Sequence, residues 1–528
     1  MRKLTDLFRQ ESSGRDMIIL SAIFFIAALA VRFWILLQGS IISNDALYYV
    51  LLAKSIGSGT FEQLSGFSFF SIHPFFVFLA HKIIPDWELA GKVVSLLCGS
   101  LAVVPLLILF SKLAGKRIAM VAALLYVLGP RFVEYSTDIL RESTFWLFSL
   151  TALCFVWKAI DRKRIIYIVF AAIFVGLSCA TKIEGLALFP IIVLWVCCAL
   201  LTKTISARTA FGHLIVFILI IPLFGVLALL MTDSGSWSWA VSRFVQKVAF
   251  LLEGNGAAPS STMDSGVLMN MPSGSVLLFE LAQKYRYLLF CVEIIFKTLK
   301  SLTFIPVFLV LAGLCFRKNV RPFGKEVYVI IWLGVFFVVS LYYMRGTSYF
   351  GTRHGLLLGI PALIWAGKGF FEVKDRAAAF MERLIGSKNA AIATSLVIFC
   401  LVFFPLLAQT IMTAGKDDKM ALKITGIELK RKGYGNSIML VQSNLHRLAF
   451  YADSEFVMMP DRMSADDVIK TMRANNARIL VVDLNSIDKA VTDVKNLADS
   501  SYFERIELED RPEEKGYALA VYKLKDLG

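Results

Sequence analysis

The sequence predicts an α-helical, polytopic membrane protein of about eleven spans, closed by a small α/β domain. Three observations predict it. Hydrophobic residues make up 57% of the 528 positions and charged ones 18%, and the 43 phenylalanines outnumber the 40 acids, a balance typical of membrane chains. Many stretches reach the ~20 apolar residues that a helix needs to cross a bilayer, where each backbone polar group must be satisfied within the helix itself. After about residue 412 the composition becomes that of an ordinary soluble domain.

Spans are expected near 17–38, 88–110, 118–134, 143–157, 165–181, 185–201, 210–231, 300–316, 327–344, 355–371 and 390–412. Lys and Arg accumulate in short loops that stay cytoplasmic, and alternate loops are basic here. One set carries Lys112, Lys116 and Arg117, then Lys158, Arg162, Lys163 and Arg164, then Arg317, Lys318 and Arg321; the other set is basic-poor. The expectation is a cytoplasmic N-terminus (1–16), a membrane domain (17–412) and an extracytoplasmic domain (413–528) in the plasma (inner) membrane. The net charge of +15 is then mostly topological, which speaks against a nucleic-acid partner. Ala28-Leu29-Ala30 imitates a signal-cleavage site, but the apolar run continues through Phe33 and Trp34 to spanning length, so an uncleaved span is expected. All eight cysteines lie in or beside apolar segments, without disulfide or zinc spacing.

Two outer loops, 39–87 and 232–299, are long enough to carry function. The first is expected to hold helices near 44–57 and 74–84, the latter opened by Pro74, with a Gly/Ser-rich turn at 57–68 between them. The second ends in "SVLLFELAQKYRYLLFCVEIIFKTLK", whose charges and aromatics at helical spacing fit a helix lying on the outer membrane surface. In the tail, "SIMLVQ", "RILVVDL", "FERIELE" and "YALAVYKL" read as strands, while "SADDVIKTMRANNA" and "SIDKAVTDVKNLA" read as helices, Ser464 and Asp467 forming a capping box.

The candidate site residues are ionisable groups near the outer ends of spans. Asp45, with Asn44, stands where it can cap a helix or supply a carboxylate base at the membrane–water boundary. His73 precedes Pro74 at the far end of the same loop, where a structural role competes with a functional one. Arg141 and Glu142 open the fourth span, either neutralising each other or lining an outward cavity. Lys182 and Glu184 occupy a hairpin so short that both sit near bilayer depth, as a mutual salt bridge or facing a cavity. Arg353 and His354 head a late apolar helix, an arrangement that can grip an anionic headgroup.

The stretches "NDALYYVLLAKSIGSG", "HPFF", "LRES", "TKIEGLALFP" and "GTRHGLLLGIP" together resemble the polytopic glycosyltransferases that use lipid-linked sugars, of GT-C type. These include protein O-mannosyltransferases, the aminoarabinose transferase of lipid A and the rhizobial lipopolysaccharide galacturonosyltransferase group. The resemblance implies a polyprenyl-phosphate-sugar donor and an acceptor that is a lipid, glycan or protein. By it, Asp45 is the catalytic or acceptor-positioning acid and Glu142 a second polar group of the cavity, while Lys182 and Arg353 neutralise the carrier phosphate. His73, Arg141, Glu184 and His354 complete the substrate-binding set. No cofactor is required by these motifs, although a divalent metal is compatible with them. Relatives often carry an Asp-Glu pair where this chain has Asp45-Ala46, and Tyr where His354 stands. The rival readings are a transporter or flippase of lipid-linked sugars and a catalytically inactive membrane scaffold. Because every candidate precedes residue 360, the tail is expected to be dispensable for bond formation.

The charge pattern makes one direct forecast. Alkaline phosphatase fused after residue 420 is expected to be active, and a fluorescent protein fused there to be dark; cytoplasmic fluorescence would invert the topology.

Overall fold

The computed structural model describes residues 14–59, 71–230, 281–316, 324–414, 420–442, 444–459, 463–483, 502–508 and 519–525. The expected turn beyond residue 59, most of the second outer loop and the helix "SIDKAVTDVKNLA" lie outside them. The chain divides into two compact units, one of residues 1–35 and 52–413, the other of residues 36–51 and 414–528.

The first unit is helical. It comprises α1 (Gly14–Leu37, whose last turn crosses the division), the C-terminal half of α2 (Asn44–Ser58), α3 (His73–His81), α4 (Trp87–Leu101), α5 (Val103–Ala114), α6 (Lys116–Leu128) and α7 (Pro130–Thr137). There follow α8 (Arg141–Arg162), α9 (Ile165–Thr181), a 3₁₀ turn (Ile183–Ala187), α10 (Leu188–Leu201), α11 (Ala207–Leu230), α12 (Arg286–Leu302), α13 (Phe304–Cys315), α14 (Glu326–Thr347), α15 (Thr352–Ile385) and α16 (Lys388–Ala414). Among the described residues seven helical segments are long and apolar enough to cross a membrane, and nine if two bent pairs each count as one span. The chain is therefore a multi-pass membrane protein. Each of the eleven expected segments is helical, but α9 and the described part of α11 are shorter apolar helices outside that nine.

The bent pairs have local causes. α6 and α7 meet at 53° across Gly129-Pro130, where a proline is tolerated in the first turn of a new helix. α12 and α13 meet at 114° about Thr303, whose φ of +67° is unfavourable for a β-branched residue. The stretch expected to lie on the membrane surface is thus α12, turned sharply away from the apolar α13. Helix burial separates centre from periphery. α8 and α15 are largely enclosed, whereas α1 and α16 expose Ile18, Ile26, Ile392, Leu396 and Phe404, as helices facing lipid do.

The core of this unit runs through Leu106, Phe110, Tyr126, Trp146, Trp195 and Phe217. Within it the Trp195 indole donates to the Tyr328 carbonyl at 2.9 Å. All eight cysteines are free thiols. With lipid as apolar as leucine, helices in a membrane associate through close backbone approach at small residues. α13 and α15 do so at Gly313 and Gly369, where an added Cβ would stand 2.0 Å from the Trp365 carbonyl oxygen and 1.9 Å from that of Leu309.

The second unit carries a five-stranded sheet of order β2-β1-β3-β5-β4, from β1 (Ile438–Val441), β2 (Glu455–Met458), β3 (Ala477–Asp483), β4 (Phe503–Arg505) and β5 (Leu519–Leu524). β2, β1 and β3 are parallel, and β5 and β4 close the sheet antiparallel. β3 is central and almost wholly buried, hence its continuous apolar run. Its helices are α17 (Met420–Leu429), α18 (His446–Tyr451) and α19 (Ala465–Ala474). Ser464 caps α19 by accepting the Asp467 amide hydrogen at 3.2 Å, and its hydroxyl donates to the Asp467 carboxylate at 2.6 Å, which lowers the Asp467 pKa. β2 and α18 complete the sheet layer without having been legible as elements in the sequence.

Residues 36–51, the approach to the first outer loop and the start of α2, pack within this second unit. The Tyr451 hydroxyl accepts from the Ile42 amide at 3.1 Å, the Arg447 guanidinium donates to the Ile42 carbonyl at 3.2 Å, and the His446 ring lies 5.9 Å from that of Tyr48. The tail, expected to be dispensable for bond formation, therefore packs against the segment that carries Asp45.

Substituting Gly369 with alanine is expected to force α13 from α15 and cost about 1–3 kcal/mol, the usual penalty of overpacking. The check is the thermal unfolding midpoint of the detergent-solubilised protein, which an accommodating interface would leave unchanged.

Candidate active site at one end of the helical unit

Four chain segments bring ionisable groups together within the first unit. α8 begins at Arg141-Glu142; the 3₁₀ turn after α9 presents Lys182 and Glu184; α15 begins with Arg353-His354 in its first turn; and α3 opens at His73-Pro74. Each lies at a helix start or in a tight turn, where the backbone is not committed to a continuous helical ladder. Gly185 permits the turn to close, since a Cβ there would stand 2.6 Å from the Cys179 backbone nitrogen.

At the centre, Lys182 Nζ lies 3.4 Å from Glu142 Oε1 and 3.2 Å from Glu184 Oε1. Lys182 and Glu142 are almost fully enclosed, their side chains 1% and 2% exposed. A buried carboxylate without a counter-charge costs several kcal/mol, so Lys182 is what permits two acids to share this space. His354 Nε2 reaches Glu184 Oε1 at 3.6 Å, its ring flanked by Tyr343 and Phe350 at 4.9 and 5.6 Å. Arg353 Nε stands 3.9 Å from Glu142 Oε1 with its side chain 32% exposed. It thus spans the gap between the buried pair and the surface. The second oxygens of Glu142 and Glu184 are buried and accept no hydrogen bond.

His73 binds the cluster's scaffold, its Nδ1 3.0 Å from Thr144 Oγ1 on α8. Burial is the main cause that lowers its pKa to about 3, so the ring is neutral and positions helices rather than carrying charge. The same join is reinforced by Ser71, whose hydroxyl donates to the Thr181 carbonyl at 3.0 Å, and by the Ile72 amide, which donates to that of Ala180 at 2.8 Å. Across the mouth, Tyr135 of α7 and Thr352 of α15 share a hydrogen bond of 2.8 Å. On α7 and the α12–α13 break opens a cleft of about 440 Å³, lined among others by Arg131, Glu134, Lys300, Thr303 and Gln409.

Seven of the eight sequence candidates, all but Asp45, therefore sit on these four segments, and five are linked directly by ion-pair distances. Asp45 belongs to the second unit, half-buried in the first turn of α2. The cap of that helix is Ser43, whose Oγ accepts from the Ala46 amide at 3.2 Å. Neither Asn44 nor Asp45 takes that place. Sequence reasoning missed Thr144, Tyr135 and Thr352, uncharged residues without a motif. It also passed over Arg32, which is wholly buried and lies 5.2 Å from the centre of the Tyr126 ring; a lone arginine inside an apolar run was the available signal. No group of three or more His, Cys, Asp or Glu among the described residues is placed to hold a metal ion.

The class to which this architecture corresponds is the GT-C glycosyltransferase fold. Residues 72–228, which contain His73, Arg141, Glu142, Lys182 and Glu184, match the family described as dolichyl-phosphate-mannose-protein mannosyltransferase. No curated protein matches the chain. Among solved structures the chain is similar to ArnT from Cupriavidus metallidurans bound to undecaprenyl phosphate, at 12% identity and a TM-score of 0.55, over 95% of this chain and 97% of that one. It is also similar to the oligosaccharyltransferase of Archaeoglobus fulgidus in the apo form, at 12% identity and a TM-score of 0.55, over 89% and 70% of the two chains. A third likeness, to the arabinofuranosyltransferase AftD from Mycobacteria, has 14% identity and a TM-score of 0.50 over 97% of this chain and 40% of that one.

The ion pairs predict strong coupling. Glu142→Gln leaves Lys182 with Glu184 alone, and Lys182→Met leaves Glu142 with Arg353 and Glu184 with His354; each is expected to cost up to about 3–5 kcal/mol, the loss on breaking a buried pair. The double variant should cost less than their sum by about 0.5–3 kcal/mol. Unfolding in detergent measures all three, and simple additivity would dissolve the pair.

Proposed function

We propose that this protein is a membrane glycosyltransferase that moves a sugar from a polyprenyl-phosphate-linked donor to an acceptor hydroxyl on the outer face of the membrane. The observation that carries the reading is the Glu142–Lys182–Glu184 cluster, closed within a GT-C fold and continued to the surface by Arg353 alone among its ion-paired cations. The ArnT structure holds undecaprenyl phosphate, which supports a lipid phosphate as the donor's carrier here.

The chemistry follows from the charges. Departure of a polyprenyl phosphate develops negative charge on a phosphate oxygen, and a fixed cation stabilises that charge more than it stabilises the ground state. Arg353 is placed for that contact by Glu142, which restrains its guanidinium from below. Lys182 is too enclosed to reach a carrier directly and acts by fixing both carboxylates. The acceptor hydroxyl loses its proton as the new glycosidic bond forms, and Asp45 is the carboxylate proposed to receive it. A single displacement with inversion at the anomeric carbon requires just one such base, unlike the paired carboxylates of glycosidases. The second unit supports this role by holding the Ile42–Tyr48 segment through Tyr451, Arg447 and His446. The sugar, and the choice among lipid, glycan and protein acceptors, are to be found by comparing glycolipids and surface glycans of a deletion strain by mass spectrometry.

Because Ser43 supplies the helix cap, Asp45→Asn should leave folding intact while transfer falls by about 10²–10⁴-fold, the range of a lost general base. Arg353→Ala should raise the KM for the lipid donor, and Arg353→Lys should recover part of the loss because the planar fork is gone. Transfer assays with a purified donor, read beside thermal stability, test both. Near wild-type turnover in Asp45→Asn would remove it from the chemistry.

A further inference from the structure

A second cluster of ionisable groups, unlike the first in carrying unmatched positive charge, lies further along the helical unit. Lys368 is fourteen residues further along α15 than His354, and Asp375 is twenty-one further, distances of about 21 and 32 Å along a helix. There the ends of α5, α6, α13 and α14, with the middle of α15, line a cavity of about 380 Å³. Its walls are apolar at Ala114, Ile118, Phe316 and Phe371.

The polar lining does not balance. Glu326 is ion-paired with Lys368, Asp375 with Lys374 at 2.6 Å, and Glu372 with Arg376 at 3.5 Å. Each carboxylate of the cavity thus has its own cation. Among the described residues Lys116 has no ion-pair anion: the residue is 3% exposed, and its Nζ is buried without a hydrogen-bond partner. Arg117 beside it is exposed at the rim. Lys116 is also the first residue of α6, a helix of thirteen residues that begins at Gly115 without a side-chain cap. Gly115 takes a φ of +93°, which turns the chain sharply into α6 and leaves its first amides uncapped. A positive helix end, a buried ammonium and a rim guanidinium therefore converge on one space, and such convergence favours an oxyanion. An uncompensated buried ammonium is costly, so an anion bound there removes a penalty that the empty protein carries.

We propose that this cavity binds a phosphate group, with Lys116 and the α6 amides on its oxygens and Arg117 at its entrance. The apolar walls and the position at the end of the spans that carries the basic loops fit the phosphate of a membrane lipid headgroup; free phosphate shares the same chemistry. The site is separate from the Glu142 cluster and does not rest on the proposed transfer reaction.

The test uses the full chain purified in detergent and follows its thermal unfolding midpoint. Phosphatidylglycerol, phosphatidylcholine and inorganic phosphate are added separately, with chloride at matched ionic strength as control. Wild type should be stabilised by several degrees more with phosphatidylglycerol than with chloride. That gain should be at least halved in Arg117→Gln and absent in Lys116→Met, while Lys116→Met without additive should unfold no earlier than wild type. Protection by phosphatidylglycerol or phosphatidylcholine but not by inorganic phosphate assigns the site to lipid, and equal protection by inorganic phosphate assigns it to the free ion. Equal gains in wild type and Arg117→Gln, or no gain over chloride with any phosphate, would overturn the proposal. So would a Lys116→Met protein that unfolds well below wild type, because Lys116 would then have a structural partner.

Discussion

Everything at the candidate site depends on one constraint, that a charge withdrawn from water must be met by another. Lys182 stands 3.4 and 3.2 Å from two carboxylates contributed by different segments, and that contact joins the start of α8 to the turn after α9. Arg353 and His354 extend the same network to the start of α15. In a soluble protein such groups could be left at the surface at little cost. In a bundle of apolar helices they have nowhere else to go, and their mutual attraction fixes which helix ends meet.

The helical scaffold answers a different constraint. Lipid offers helices no hydrophobic reason to associate, so close approach is achieved where side chains are absent, at Gly313 and Gly369 between α13 and α15, and at Gly367 against the Ile118 carbonyl of α6. These contacts run along α15, the helix that carries Arg353 and His354 in its first turn and lines the Lys116 cavity with Lys368, Phe371, Glu372 and Asp375. One rigid element thereby connects two regions of charge that are chemically unlike. The first has its acids and bases closely paired, and the second keeps a buried ammonium without a hydrogen-bond partner among the described residues.

The second unit has a function that its composition conceals. Its sheet is an ordinary parallel-to-antiparallel layer around β3, yet three side chains of α18, His446, Arg447 and Tyr451, engage residues near the start of α2. The acid proposed as base is therefore supported by a part of the chain some 400 residues away in sequence, Ile42 and Tyr451 being 409 positions apart. Long-range packing of this kind leaves no periodic trace in either segment.

By itself the sequence determined the membrane class, the place of the eleven expected apolar helical segments, the strands β1, β3, β4 and β5, the Ser464–Asp467 cap and the identity of the ionisable candidates. Those follow from hydrophobic length, from period and from the rarity of charge in apolar runs, all local properties of the chain. It could not say that α6–α7 and α12–α13 bend at 53° and 114°, since a break of one residue barely alters hydropathy. Nor could it distribute roles within the charges. Lys182 and Arg353 look alike as lone cations, and only packing encloses one between two acids and leaves the other a third exposed. Lys116 reads as one more basic loop residue until the fold buries it. Asp45 reads as a helix cap until Ser43 is found in that position. The tertiary structure decided these matters because burial and partnership are properties of the assembled chain, set by residues hundreds of positions apart.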